Sequence, residues 1–229
     1  MNIRRLKRIG YSDVFQSTGD VAAIAFSAGM TIDADGAYRA YHPNGVKGLD
    51  YLANAGRPGN WWALVTQNGK PSGKPVIQEA DDPAPGYYIS TTSLQDEGCE
   101  RIDPRRYVDS ESIPFLVLPK GTTFDAELGD FGYVIDTRRK AEYGCVFADI
   151  GPKDHIGEGS IALARALGIP FNPRKGGTSQ GVIYVVFPGS RNGWPLSDEE
   201  IQEQAKARFE EWGGMEVVTQ IFPHLVGKV

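Results

Sequence analysis

YGCVFADIGPKDHIGEGSIALARALG, residues 143–168, changes character three times in a short space. Cys145 to Ala148 are apolar and follow a tyrosine, the composition of a buried strand, and the strand runs directly into Asp149. Gly151-Pro152 then breaks the extended chain, a short polar loop follows, and Glu158 arrives just ahead of SIALARALG. In that last piece Ser160 is placed to cap a helix and Gly168 to end it in the left-handed conformation. The spacing therefore predicts a strand, a tight turn, a loop and a short helix, with two carboxylates near one end of the unit.

Working outward, apolar runs of strand length recur: VAAIAF (21–26), AYRAYH (37–42), WWALVT (61–66), YYISTTSL (87–94), FLVLP (115–119), YVIDT (133–137) and GVIYVVF (181–187). Gly, Pro, Asn or Asp bound each one, the strand-and-turn pattern of a barrel or sandwich. AYRAYH and YYISTTSL mix polar with apolar positions as half-exposed strands do, whereas VIYVVF is expected to be buried on both faces. The 28 Gly and 15 Pro suit many tight turns and irregular loops. A second helix is written at 197–212: Ser197 and Glu200 form a capping box, Gly213 follows the last turn, and Ile201, Ala205, Phe209 and Trp212 make one apolar stripe. The expected fold is mainly β (β-rich α+β), a closed barrel with two or three peripheral helices. We expect one domain over 1–229, with a core at about 20–190 and a C-terminal helical appendage at about 196–229.

Composition narrows the function classes. Apolar residues at 41% and charged residues at 23% are those of an ordinary globular chain. A net charge of −5 argues against nucleic-acid binding, which needs a basic face for phosphates, and suits a cationic partner. The apolar run at 21–25 is too short to span a bilayer, so no membrane partner is expected. The first twenty residues carry basic side chains without an apolar segment behind them, and no secretion signal is read there. Cys99 and Cys145 are the two cysteines; no CxxC or Cys/His spacing marks a zinc site, and one bridge between them stays open.

The chemistry is sought in Asp149 and Glu158. Inverting glycosidases use two carboxyls, one protonating the leaving oxygen and one activating water, about 6.5–9.5 Å apart, and nine residues through a turn permit that distance. The apolar run before Asp149 is expected to raise its pKa and make it the acid. Glu158, near helix amides, is expected to be held as the carboxylate base. On sequence grounds the opposite order stays open, and so do two readings without catalysis: an Asp before Ile-Gly-Pro that caps a turn and a Glu before a helix that serves the dipole alone.

FADIGP followed by IGEGSIALARALGI resembles the signature of the family 75 glycoside hydrolases, the endo-chitosanases. Further similar blocks are MTIDADG (30–36), DPAPGYYISTTSL (82–94), RYVDSESIPFLVLP (106–119) and GVIYVVFPGS (181–190), in the family's order. The resemblance implies inverting hydrolysis of β-1,4-linked glucosamine within the chain, with Asp149 and Glu158 as the essential acids, a polysaccharide partner and no cofactor. It also implies an extracellular place of action. The strand, Asp and Gly-rich turn are similar to the active-site element of double-psi β-barrel enzymes that cleave glycans. That similarity implies a double-psi-like barrel and leaves a peptidoglycan-active lytic enzyme as a competing reading; a non-catalytic glycan-binding barrel is the third.

Supporting residues are read more simply. Asp33 and Asp35 open like a calcium loop, but Ala37 and Asn44 stand at its fifth and twelfth positions, so no metal is expected. An Asp-Gly hairpin turn that presents Asp35 to substrate ammonium groups is preferred. Tyr88 and Ser90, with Thr92, are expected on one strand face as a sugar-binding surface. Trp61 and Trp62 point to opposite faces, one for the core and one for stacking, in an order alternation does not fix. His155 lies between the two acids and is read as a loop residue.

Overall fold

The computed structural model describes residues 1–226; the last three positions of the expected C-terminal appendage, 227–229, lie outside the described residues. The strands are β1 (Asn2–Ile9), β2 (Ser12–Thr18), β3 (Ala23–Asp33), β4 (Gly56–Arg57), β5 (Asn60–Trp61), β6 (Phe115–Pro119), β7 (Phe131–Asp136), β8 (Ala141–Gly151), β9 (Glu158–Ser160) and β10 (Thr178–Val186). The helices are α1 (Ile161–Ala166), α2 (Asp198–Trp212) and α3 (Gly214–Ile221). Pairing runs β3-β10-β7-β8-β6-β9, and β9 pairs back to β3, closing a six-stranded barrel. Its closing stave is only three residues long and pairs parallel with β3 and antiparallel with β6.

Five strands of this barrel, all but the three-residue β9, alternate between two cores. Phe26, Met30, Leu116, Phe147, Val134 and Tyr184 belong to the interior, where Phe26 and Tyr184 stack at 4.8 Å. Phe115, Tyr133, Val146, Ile183 and Val185 form the opposite face, packed beneath α2 and α3. This explains why residues 181–186 are buried throughout. Burying five such side chains on one face stabilises the fold by roughly 10 kcal/mol before entropy is counted.

The helix signals at both sites are realised. Ser160 Oγ accepts from Leu163 N at 3.1 Å, Ser197 and Glu200 close their capping box, and Gly213 adopts φ 111°. Helix α2 docks through Gln202, which accepts from Gly144 N at 2.8 Å and donates to Gly144 O at 2.9 Å. A Cβ on Gly144 would meet Ala205 Cβ at 2.8 Å, so glycine permits this close approach.

Three expected strands are corrected. Residues 37–42 are turns and irregular chain, while 61–66 beyond Trp61 of β5, and 87–94, are extended only at single bridges, among them Leu64 with Ser90 and Ile77 with Tyr88. Pro71, Pro75, Pro83 and Pro85 remove ladder donors through this region, which prevents continuous pairing. Residues 34–114 instead form one long irregular excursion between β3 and β6. Both cysteines are free, Cys145 inside the barrel and Cys99 on the excursion.

Candidate active site

Val117 on β6 is the register partner of Asp149 on β8 and of Glu158 on β9. The two acids therefore stand one strand to either side of the same residue, level with each other. Their facing depends on a bulge. Leu116 pairs with Phe147 and Val117 with Asp149, so Ala148 is an extra residue in β8. Strict alternation would send Asp149 to the opposite face from Ala148, into the barrel with Phe147; the bulge keeps it outside beside Val117. Thr31 on β3 is level with Glu158, and Asp33, two residues on, shares that face.

Buried serines lock this corner. Ser110 Oγ donates to Asp33 O at 2.5 Å and accepts from Ile161 N at 3.0 Å, while Ser110 O accepts from Ala162 N at 2.8 Å. With Leu163 N taken by Ser160, the first three amides of α1 are all occupied. Glu158 gains nothing from them, which corrects the expectation that helix amides would hold it ionised. Burial instead pushes its pKa up to about 7, with the charges of Asp149 and Asp50 acting in the same direction.

Asp149 is treated differently. Burial pushes its pKa up, but Oδ1 accepts from Ser93 Oγ at 2.5 Å, Ile150 N at 2.8 Å and Ser93 N at 2.9 Å. All three bonds favour the ionised form and oppose burial. Among the described residues no donor reaches Oδ2. The arrangement gives a carboxyl that retains its proton near neutral pH beside one supplied with donors for its anion.

Both acids open into a cleft of about 780 Å³, which Asp33, Asp35 and Asp50 also line. Burial pushes the pKa of Asp33 well up, with Asp35 the next cause; for Asp35 burial again leads and Asp149 follows, opposed by a 2.6 Å bond from Tyr41 Oη. None of the five carboxylates joins a salt bridge among the described residues. Three cations share the cleft wall: Lys120, Lys175 and Arg174. Arg174 spends its guanidinium on the carbonyls of Gly45 and Gly48, both at 2.6 Å. Among the described residues no group of three or more His, Cys, Asp or Glu is arranged to hold a metal ion.

The remaining expected residues divide. Asp35 lies in a turn, its amide donating to Asp33 Oδ1 at 2.7 Å, and Gly36 follows at φ 80° with Val108 O where a Cβ would stand. Ser90 is buried, with its Oγ accepting from Gly36 N at 3.0 Å, and Tyr88 packs toward the interior core; neither lines the cleft. Trp61 is the buried member of its pair and Trp62 the exposed one, on the cleft wall. His155 also lines the cleft, 3.1 Å from Thr31 Oγ1. Sequence reasoning missed Asp33 as a cleft carboxylate, and missed Asp50 and Ser93 altogether. DADG carried a signal for the first; for the other two only tertiary proximity reveals the role.

Among curated proteins none matches the chain. Residues 78–216 match the family described as the fungal chitosanases of glycosyl hydrolase group 75, a span that holds Ser93, Asp149, Glu158 and five of the six barrel strands. That span exceeds half of the chain, and the chain belongs to this family of chitosanase-type glycoside hydrolases.

Proposed function

We propose that the chain is an endo-acting, inverting hydrolase of β-1,4-linked glucosamine polymers, with Glu158 as the general acid and Asp149 as the general base. The observation that carries the reading is the shared register of the two acids with Val117. Neighbouring strands lie about 4.8 Å apart, so the backbones of Asp149 and Glu158 are roughly 10 Å apart with side chains on one face. That spacing suits the about 6.5–9.5 Å between carboxyls that leaves room for a water on the far side of the sugar.

Chemistry follows from environment. Glu158, with its pKa pushed up to about 7, delivers its proton to the glycosidic oxygen as the bond to the anomeric carbon breaks. Asp149, its Oδ1 saturated by Ser93 and Ile150, uses the free Oδ2 to take a proton from the attacking water. The cleft gathers five carboxyl groups that join no salt bridge among the described residues and can accept hydrogen bonds from a chain of ammonium groups. Asp35, held by Tyr41, is the substrate-facing carboxylate of the DADG turn. A polymer of this kind is met outside the cell.

Reducing-end release from soluble chitosan, beside chitin and peptidoglycan, tests the reading with Asp149→Asn and Glu158→Gln in parallel. Wild type is expected to shorten chitosan rapidly with inverted product anomers, and each variant to lose activity by roughly a hundredfold or more. Preferential cleavage of peptidoglycan, or full activity in Asp149→Asn, overturns it.

A further inference from the structure

Trp62 is 58% exposed on the cleft wall, whereas Trp61 and Trp212 are buried. Its indole is not free to swing. Nε1 donates to Asn54 O at 2.8 Å and the Trp62 amide donates to Ala55 O at 3.1 Å, so the ring edge is fixed while a face stays open. The same Asn54 reaches in the other direction: its Nδ2 donates to Asp50 Oδ2 at 2.7 Å, and Asp50 Oδ1 accepts from Tyr51 N at 2.7 Å. A short 3-10 turn, Leu52–Ala55, thus ties an aromatic face and a carboxylate into one rigid unit.

Asp50 is an unusual cleft wall residue. It is only 5% exposed, its two donors occupy about half of a carboxylate's four acceptor positions, and no salt bridge among the described residues neutralises it. Arg174 donates to the Asp50 main-chain carbonyl at 3.2 Å and not to its side chain. Asp50, Asn54 and Trp62 line the same cleft as Asp149 and Glu158, and the Asp50 charge acts on both Glu158 and Asp35 in the direction that raises their pKa.

We propose that Trp62 and Asp50 form a subsite for one deacetylated glucosaminyl ring in the cleft of the two acids, the indole carrying the ring's C–H face and the carboxylate accepting its 2-ammonium group. Stacking alone accepts any β-linked hexose. A buried, unneutralised carboxylate rewards a charged partner and leaves a neutral acetamido group with less to gain, so the pair selects for the free amine. The assignment deepens the glucosamine-polymer reading and rests on it.

Calorimetric titration of a glucosamine hexasaccharide into the Glu158→Gln protein at mildly acidic pH isolates binding from turnover. Adding Trp62→Ala is expected to weaken binding about tenfold, with Trp62→Phe retaining most of the affinity. Asp50→Asn is expected to weaken the glucosamine ligand by a similar factor and leave the N-acetylglucosamine hexasaccharide unchanged. Equal affinity in Trp62→Ala, or equal weakening of both ligands in Asp50→Asn, overturns the subsite. Trp62-dependent binding without any cleavage of chitosan by wild type upholds the subsite and removes the hydrolase reading. Cleavage with an unaltered KM in an otherwise wild-type Trp62→Ala protein does the reverse.

Discussion

Replacing Ser93 by alanine removes one hydroxyl and interrogates the division of labour between the acids. Ser93 Oγ sits 2.5 Å from Asp149 Oδ1, the shortest of three bonds to that oxygen, and all three stabilise the anion. A charge-assisted hydrogen bond in a half-buried site is worth about 1.5–3 kcal/mol, and 1.36 kcal/mol is one pKa unit. Loss of the hydroxyl should therefore raise the pKa of Asp149 by about one to two units, while the two backbone donors keep the side chain in place. The sign decides the matter. A base must be ionised to act, so if Asp149 is the base the acidic limb of the kcat/KM profile moves up by about one to two pH units. The alkaline limb, set by Glu158 near 7, should hardly move. The assay is kcat/KM against pH on one chitosan preparation for wild type, Ser93→Ala and Ser93→Thr, so that titration of the substrate's amines is common to all. Because the acids are coupled, the limbs report the pair, but a change at one member still appears mainly in the step it dominates. An unmoved acidic limb in Ser93→Ala, or an alkaline limb that moves instead, would refute the assignment of Asp149 as base.

Three further outcomes test other parts of the structure. Glu158→Gln should raise stability above about pH 7 by on the order of 3 kcal/mol and have no effect below about pH 4.5. A pKa raised on folding contributes stability that is complete at low pH and lost as pH rises through about 7, and glutamine mimics the protonated form; thermal melts at the two extremes check this. Gly151→Ala should lower kcat roughly ten- to a hundredfold with little change in melting temperature: a Cβ there stands 3.2 Å from Glu158 Oε2 and 2.9 Å from Val117 Cγ1, which displaces the acid without straining the backbone. Trp212→Ala, by contrast, should cost about 3–5 kcal/mol and roughly 10 °C of melting temperature, since the 1% exposed indole packs on Phe187 and Phe209 and donates to Ser17 Oγ at 2.6 Å.

Much of the barrel was legible because its strands are buried on both faces. FLVLP is β6 residue for residue, YGCVFAD lies within β8, and VIYVVF lies within β10 up to Val186. A run apolar on every position needs no periodicity to be recognised. The N-terminal hairpin escaped for the opposite reason. In NIRRLKRI the apolar residues fall at Ile3, Leu6 and Ile9, a spacing of three, because the register of β1 shifts between Arg5 and Lys7. The bulge erases the alternation by which a half-exposed strand is read. The excursion misled in another way: its aromatic, β-branched runs have strand composition, yet their partners meet at single bridges rather than along ladders.

The two acids were legible as residues but not in their roles, and the physics of the gap is specific. Composition around Asp149 announces burial, which raises a carboxyl's pKa, yet Ser93, 56 residues earlier, supplies two of the three bonds that oppose it. Position ahead of a helix suggests free amides around Glu158, yet Ser110 and Ser160 consume them from opposite directions. In each case the local sequence names one influence, and a serine distant in the chain adds another that it does not announce. Those serines belong to the machinery that closes the barrel: Ser160 Oγ accepts from Phe115 N at 3.0 Å at the head of β6, and Ser110 binds the end of β3. Closing a six-stranded barrel with a three-residue stave leaves few ladder bonds to hold it, so side-chain hydroxyls must complete the corner. The first amides of α1 are therefore spent on sealing the barrel and are not offered to Glu158. Burial and the charges of Asp149 and Asp50 raise the pKa of the acid, and the way the barrel is closed supplies no helix donor to oppose them.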